Sequence, residues 1–374
     1  MSRARDIADL SSVSARLDTV GGSSGALSNR NIIINGAMQV AQRGSVAAIQ
    51  TAYGACDRFK LQSTSAARFD TSQSTDVPSG QGFANSLKLD CSTADTSLAS
   101  GDYYFIMHQI EGLNLQHLKY GTSDAVQCTL SFWVKSPKTG IHNVEIEHVD
   151  GGKFNTHQYT IASANTWQKV SFTFDGNTAA SIANDATVGM LVTWWLQAGS
   201  AFTSGTHTSG WSTGNSNRAV GQVNVSDSTS NDFYLTGVQL EVGAQETDFE
   251  HRTFADDLRQ CQRYLERRGT DTGGWEFIAD AGQLTSATNY QIAVRFNEQM
   301  RTTPTLSRTG NLSDVYLVRA SNIFAVSSVG LADNTNGRTV LLTGTVANTG
   351  GSAGEQTRMQ TLTAGNQFFF DAEL

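Results

Sequence analysis

The chain has 374 residues, of which 26 are Lys or Arg and 34 are Asp or Glu, so its formal net charge at pH 7 is −8. This charge argues against a protein that binds nucleic acid through a basic surface. The apolar stretches are far shorter than the roughly 20 residues of a membrane-spanning helix, and the glycines lack the period of three that collagen requires.

The first 30 residues carry a helical pattern, in which apolar side chains recur every three or four residues. The members of this stripe are Ile7, Leu10, Val13, Leu17 and Val20, of which the first four are the predicted anchoring residues. A short helix with so narrow an apolar stripe is marginal alone in water. We therefore expect residues 1–30 to anchor the chain to another protein, and the alternative is a helix that packs against its own domain.

The start of the chain lacks the apolar segment of a secretory signal. The four cysteines are too sparse for a disulfide scaffold and form no C-x-x-C site. We therefore expect a chain that is made in a cytosol, with thiols that are reduced and mostly buried.

From Ile32 the hydrophobic period changes to two residues. In Val126–Val134 and in Gln168–Phe174, apolar or aromatic side chains alternate with smaller or polar ones, and Gly- and Asp-rich turns separate such runs. Many short strands in one block predict an antiparallel β-sandwich over 31–252. Within it, residues 201–230 are rich in Ser, Thr and Gly and predict a long surface loop.

A second helix is predicted between two β regions. Residues 253–268 are expected to form a connector helix, because Leu258, Cys261 and Leu265 fall on one face. Strand-like runs follow, so 269–374 is predicted to be a smaller C-terminal β domain. Since the three apolar residues have coiled-coil-like spacing, we expect them to make contacts in a homotrimer.

No motif combines the residues of a catalytic or metal site. Gly350–Gly354 matches G-x-S-x-G, but no histidine follows it, as the chain order of that hydrolase triad requires. Glu145 and Glu147 share a strand face and could form a catalytic carboxylate pair, although such pairs are common on solvent-facing strands. His148 and His157 could meet across a hairpin, but metal-ligand spacing is absent. We predict a protein that is not an enzyme and has no cofactor.

Exposed aromatic rings are better candidates for a binding site, because sugars stack on indole and phenol rings. Neighbouring residues on a strand face opposite sides, so one ring of an adjacent aromatic pair is expected outside the core. The candidate glycan-binding residues are Trp211, Trp275, Trp195 and Tyr104. For each ring the alternative is packing in the core or in an interface.

Several separated segments resemble a module of bacteriophage virion proteins. They are Asn31–Gly44 (NIIINGAMQVAQRG), Asp57–Phe59 (DRF), Tyr234–Gly243 (YLTGVQLEVG), Phe249–Arg252 (FEHR) and Cys261–Tyr264 (CQRY). The opening Met1–Leu10 is also similar to the starts of such proteins, so the resemblance covers roughly residues 1–265. The segments follow an order similar to that of tail fibres and other structural proteins, especially of phages that infect cyanobacteria. The resemblance implies a carbohydrate-binding-like jelly roll and transfers no catalytic residue.

The sequence therefore favours a mainly β virion protein, assembled in the host cytoplasm, that acts as a tail fibre or spike and binds a host surface polysaccharide without catalysis. A homotrimer would multiply weak glycan contacts through avidity, and the rings of Phe368–Phe370 on both strand faces favour such an assembly. The expected partners are other copies of the chain, phage tail or capsid proteins at the N-terminus, and the polysaccharide, but neither nucleic acid nor a membrane. The alternative is a purely structural virion component, such as a head decoration or a tail adaptor. A depolymerase is disfavoured because the repeats of a parallel β-helix are missing.

Overall fold

The computed structural model describes residues 29–270, 273–320, 322–332, 337–347 and 349–374. The predicted anchoring residues Ile7, Leu10, Val13 and Leu17 lie outside the described residues. The chain divides into a first unit that ends at Thr253 and a second unit from Phe254 to Leu374. Within the described ranges, every helix is too short or too polar to cross a lipid bilayer.

The first unit contains two six-stranded sheets, and all the strand pairs in them are antiparallel. In spatial order, the first sheet consists of β1 (Val46–Ile49), β4 (Arg68–Ser74), β5 (Ser86–Thr93), β12 (Asp232–Val242), β7 (Cys128–Lys135) and β10 (Gln168–Phe174). The second sheet consists of β2 (Ala52–Tyr53), β3 (Phe59–Ser63), β6 (Tyr103–Glu111), β11 (Val188–Ala198), β8 (Gly140–His148) and β9 (Lys153–Ile161). The helical segments described between the strands along the chain are the α-helix Ser200–Thr203 and the 3-10 helices Gly112–Asn114, Gln116–Leu118 and Asn215–Asn217.

The alternating sequence of β7 shows how the core forms. Leu130 and Phe132 are fully buried and belong to one apolar cluster with Ile106 and Val144 of the second sheet. The side chains between them, such as Ser131, point to the other face of the strand. The predicted mainly β architecture of packed sheets is therefore confirmed, and the four cysteines are buried and form no disulfide.

Gly237 allows β12 to change its register. The pairing of β12 with β7 shifts between Thr236 and Gln239, and Gly237 lies there with a φ of +60°. A Cβ atom at this position would lie 2.6 Å from Cζ of Phe83. Both the backbone conformation and the close ring therefore require glycine.

The second unit begins with the helix Phe254–Gln262 and contains a three-stranded sheet and a closed six-stranded barrel. The sheet consists, in spatial order, of β13 (Leu265–Thr270), β21 (Asn366–Asp371) and β16 (Thr305–Arg308). The barrel consists of β14 (Glu276–Leu284), β15 (Asn289–Arg295), β19 (Thr339–Val346), β18 (Asn322–Leu331), β17 (Val315–Arg319) and β20 (Gln356–Thr361). The 3-10 helix Leu312–Asp314 precedes β17.

The connector helix is shorter than predicted. It ends at Gln262, and the chain from Leu265 forms β13, which pairs with β21. Cys261 and Leu265 are fully buried in the single chain, and Leu258 is partly buried. Burial therefore removes Cys261 and Leu265 from the predicted coiled-coil contacts with other copies, whereas the contact predicted for Leu258 stays a prediction. The spacing of the three residues predicts a helix that continues through Leu265. Pairing with β21 makes the chain from Leu265 a strand instead.

The three rings of Phe368–Phe370 also pack within one chain. They lie on β21, the middle strand of its sheet. Phe368 and Phe370 belong to the apolar core of the second unit, and Phe369 is buried on the opposite face. These rings therefore provide no argument for a trimer.

Candidate functional site

Trp195 and Tyr104 are packing residues of the first unit. The Trp195 side chain is 1% exposed and lies with its ring 5.3 Å from that of Phe105 and 5.4 Å from that of Phe202. Tyr104 is fully buried and donates its hydroxyl hydrogen to the carbonyl oxygen of Ile49 at 2.6 Å. The prediction that these two rings bind a glycan is therefore wrong, because neither ring reaches solvent.

Trp211 is also held by the sandwich, although its sequence neighbours are polar. Its ring lies edge-on to Tyr120, 5.8 Å away, and its Nε1–H group donates to the carbonyl oxygen of Asp175 at 2.8 Å. The side chain is half-buried against the core of the first unit. The structure therefore does not support Trp211 as a ring that is free to stack on a sugar.

The carboxylates of Glu145 and Glu147 share one face of β8, as predicted, and both bind Arg218. The Nε atom of Arg218 lies 3.1 Å from each carboxylate oxygen of Glu145, and its Nη2 atom lies 2.7 Å from Glu147. The guanidinium also covers the rings of Phe154 and Trp195. Burial raises the pKa of Glu145 and is only partly opposed by Arg218. This cluster fastens the segment around Arg218 to the outer face of the second sheet.

His148 and His157 do not face each other. His148 pairs in register with Lys153, whereas His157 pairs with Val144 and stacks on Phe172. Within the described ranges, no three His, Cys, Asp or Glu side chains are grouped so that they could hold a metal ion.

The barrel of the second unit carries exposed apolar side chains on the outer face of β14 and β18 and on the residue just before β14. Trp275 is 49% exposed, Phe277 is 48% exposed and Ile323 is 52% exposed. We call this surface the aromatic face. It consists of Trp275, Phe277, Tyr316, Ile323, Arg358 and Gln360.

Strand register brings these side chains together. Phe277 of β14 lies opposite Gln360 of β20, which in turn lies opposite Tyr316 of β17. The flanking residues Leu317 and Met359 point into the barrel and are fully buried, so Tyr316 and Gln360 point outward. The three residues therefore form one row across the outside of the barrel.

Trp275 extends this row beyond the start of β14. The amide of the preceding Gly274 donates to the carbonyl oxygen of Leu362 at 2.9 Å, which continues the pairing with β20. The Trp275 ring lies 5.7 Å from the Tyr316 ring. Two adjacent rings thus present apolar surface at one end of the aromatic face.

Polar groups border the rings. The guanidinium of Arg358 lies 5.5 Å from the centre of the Phe277 ring. Gln360 lies between Phe277 and Tyr316 in the strand register, but its side chain is only 7% exposed. Apolar rings next to hydrogen-bonding groups form the combination that binds polar organic ligands. The aromatic face combines these two kinds of group.

Of the predicted glycan-binding residues, Trp275 alone lies on the aromatic face. Sequence reasoning missed Phe277, Tyr316, Arg358 and Gln360. The spacing of Trp275 and Phe277, two residues apart in a strand-like run, is the signal that could have indicated one face of a strand. The contribution of β17 and β20 depends on long-range pairing, which the sequence does not display.

Searches of protein-family models and of curated proteins find no match to this chain. Among solved structures, the enzymatically active domain of tailspike protein 4 from bacteriophage CBA120 is similar at 12% identity and a TM-score of 0.30, over 57% of this chain and 21% of that domain. A CBM4 structure is similar at 13% identity and a TM-score of 0.30, over 56% of this chain and 99% of the other. A family 11 carbohydrate-binding module from Clostridium thermocellum, bound to a mixed-linked tetrasaccharide, is similar at 12% identity and a TM-score of 0.27, over 55% and 98%.

The chain thus spans about a fifth of the tailspike domain but nearly the whole of both carbohydrate-binding modules. All three TM-scores lie below 0.5, so these similarities do not indicate a function.

Proposed function

We propose that this chain binds a glycan without catalysis and that the aromatic face is its binding site. The observation that carries the proposal is the pair of half-exposed rings, Trp275 and Phe277, on the outside of the barrel. Large exposed apolar patches on soluble proteins mark sites of interaction. The rings lie beside the exposed Arg358, so this patch is not purely apolar.

A saccharide suits this combination better than an apolar ligand. One side of a sugar ring presents C–H groups that can pack on an indole or phenyl ring, while its hydroxyl groups need hydrogen-bonding partners. Arg358 is exposed and offers several donors to those hydroxyl groups. Trp275 and Phe277 would then support the ligand, and Arg358 would orient it.

The Glu145–Arg218–Glu147 cluster supports the absence of catalysis in this proposal. A glycosidase needs one carboxylic acid that can give up a proton and a second carboxylate that can reach the substrate. Glu145 is fully buried and is held by Arg218. This pair therefore fits a role in packing rather than in hydrolysis.

The wider context of the proposal is a phage virion, in which the first unit would be a jelly roll and the chain a tail fibre or spike. This part rests on the sequence segments that resemble virion proteins. Anchoring through residues 1–30 and assembly into a homotrimer remain predictions, and a purely structural virion component remains the alternative.

Binding of the full-length protein to an array of bacterial surface glycans tests the proposal, with Trp275→Ala as the variant. The exposed half of the indole corresponds to roughly 100 Å² of apolar surface, worth at most about 2.5 kcal/mol when covered. We expect binding to weaken by about 5- to 30-fold. Phe254→Ala is the matched control, because it removes an aromatic side chain that is 54% exposed on the helix of the same unit.

Equal binding by Trp275→Ala and the wild type would exclude the aromatic face as the binding site. If no glycan on the array binds the wild type, while Trp275→Ala impairs incorporation into particles, the structural alternative gains support instead.

A further inference from the structure

A groove runs beside the rings of the aromatic face and has a volume of about 450 Å³. Its lining residues are Ala281, Gly282, Val318, Ala320, Gln356, Thr357 and Arg358. Small side chains form most of this lining, and β14 shifts its register against β20 between Ala279 and Gly282. The groove therefore results from the small side chains and the strand register of the barrel, and it is wide enough for part of an extended ligand.

Arg358 lies where the rings and the groove meet. It lines the groove, and its guanidinium also covers the ring of Phe277. Contact with the face of the ring holds the guanidinium in place. Its N–H donors lie in the guanidinium plane, so they can still reach a ligand.

The positive charge of Arg358 is not neutralised by the carboxylates described around it. Within the described ranges, no carboxylate forms an ion pair with Arg358. The nearby carboxylate of Glu355 binds Arg319 at 2.7 Å. The chain as a whole has a net charge of −8, so attraction of an anion would have to come from such a local group.

We infer that the aromatic face binds an acidic saccharide, with a sugar ring on Trp275 and Phe277 and a carboxylate of the saccharide at Arg358. This inference rests on the proposed function and adds the chemical class of the ligand. A planar guanidinium matches a carboxylate through two parallel hydrogen bonds. The groove would hold the sugar residue that carries the acid, and the neighbouring residue would lie on the rings.

Matched glycans test the inference. Full-length protein is bound to an array of uronic-acid polysaccharides and to the same polysaccharides after chemical reduction of their carboxyl groups to alcohols. We expect the acidic forms to bind at least about 10-fold more tightly. We also expect Arg358→Gln to weaken binding of the acidic forms about 10-fold and to weaken binding of the neutral forms clearly less, because only the acidic forms lose a charged partner.

Two controls separate charge from geometry and from folding. Arg358→Lys keeps the charge but loses the planar pair of donors, so it should bind the acidic forms with an intermediate affinity. Thermal melting of each variant should match that of the wild type, because Arg358 is exposed. Sulfated polysaccharides on the same array show whether any anion suffices, and equal binding of sulfate and carboxylate forms would overturn the assignment of a carboxylate.

Failure of the inference differs from failure of the proposed function. If acidic and reduced glycans bind equally, and Arg358→Gln changes neither, the inference is wrong, but the proposed function stands as long as Trp275→Ala weakens binding. If Trp275→Ala has no effect on any glycan, both are wrong.

Discussion

Replacement of Arg218 by Met tests whether the carboxylate pair of the first unit belongs to its scaffold. The Arg218 side chain is 17% exposed and neutralises Glu145, whose side chain is fully buried. Methionine keeps much of the apolar volume over the Phe154 ring but removes the charge. Of the side chains described around Glu145, Thr156 would still donate to it, at 3.0 Å.

Removal of one partner from a buried ion pair typically costs about 3–5 kcal/mol. Because Arg218 is partly exposed and water can reach its site, we expect a loss near the lower end, about 3 kcal/mol at pH 7. The loss should depend on pH. Burial already raises the pKa of Glu145 against the opposing effect of Arg218, so the variant should have a still higher pKa.

The sign of this dependence follows from proton uptake. In the unfolded chain a glutamate has a pKa of about 4.3, so it stays charged at pH 5 to 7. The folded variant can take up a proton at Glu145 in that range, which stabilises the folded state as the pH falls. The difference between Arg218→Met and the wild type should therefore shrink from pH 7 to pH 5.

Urea unfolding followed by tryptophan fluorescence measures the effect. The first unit contains five of the six tryptophans, so the signal reports mainly on it. Glu147→Gln is the matched control, since it leaves the pair of Arg218 and Glu145 intact and should cost less than about 1 kcal/mol. A loss below about 1 kcal/mol for Arg218→Met, or equal losses at pH 7 and pH 5, would contradict this account.

Two further predictions concern the first unit. Burial lowers the pKa of His142 to about 4, and a hydrogen bond to the carbonyl oxygen of Lys138 only partly opposes it. The His142 side chain of the unfolded chain takes up a proton below about pH 6.5, whereas that of the folded chain does so only near pH 4. Roughly 3 kcal/mol of stability should therefore be lost between pH 6.5 and 4. His142→Gln should flatten the pH dependence of the unfolding free energy, and parallel curves for the variant and the wild type would refute the prediction. Trp195→Ala should destabilise the unit by about 3–5 kcal/mol, because it empties a buried site, and the folded fraction should bind glycans normally; normal stability with lost binding would make Trp195 a binding residue again.

The sequence predicts strands well where one face of the strand is buried. The alternation in Gln168–Phe174 matches β10 over its full length. The adjacent rings of Trp194 and Trp195 lie on opposite faces of β11, as their spacing predicts. What the sequence does not reveal is that Arg218 and Phe202 cover the second ring.

The segment 201–230, which contains Arg218 and Phe202, explains why the burial of Trp195 could not be predicted. Residues 201–230 look like a free polar loop, but Ser212 pairs with Phe154 and Arg218 binds Glu145, 73 residues away in the chain. Contacts over such distances leave no local pattern. The end of the helix at Gln262 has the same origin, because the strand that begins at Leu265 is stabilised by β21, about 100 residues later.

The two units differ in the exposure of the aromatic rings considered as binding residues, and this difference favours the barrel as the proposed binding site. In the first unit, Tyr104 and Trp195 contribute their apolar surface to folding. In the barrel, Trp275 and Phe277 each keep about half of their surface in water, which leaves roughly 2 kcal/mol of possible burial unused per ring. The core of the barrel is already filled by residues such as Leu317 and Met359, so packing does not explain the exposed rings. A partner that covers them would gain that free energy, and the exposed Arg358 beside them favours a partner that also needs hydrogen bonds.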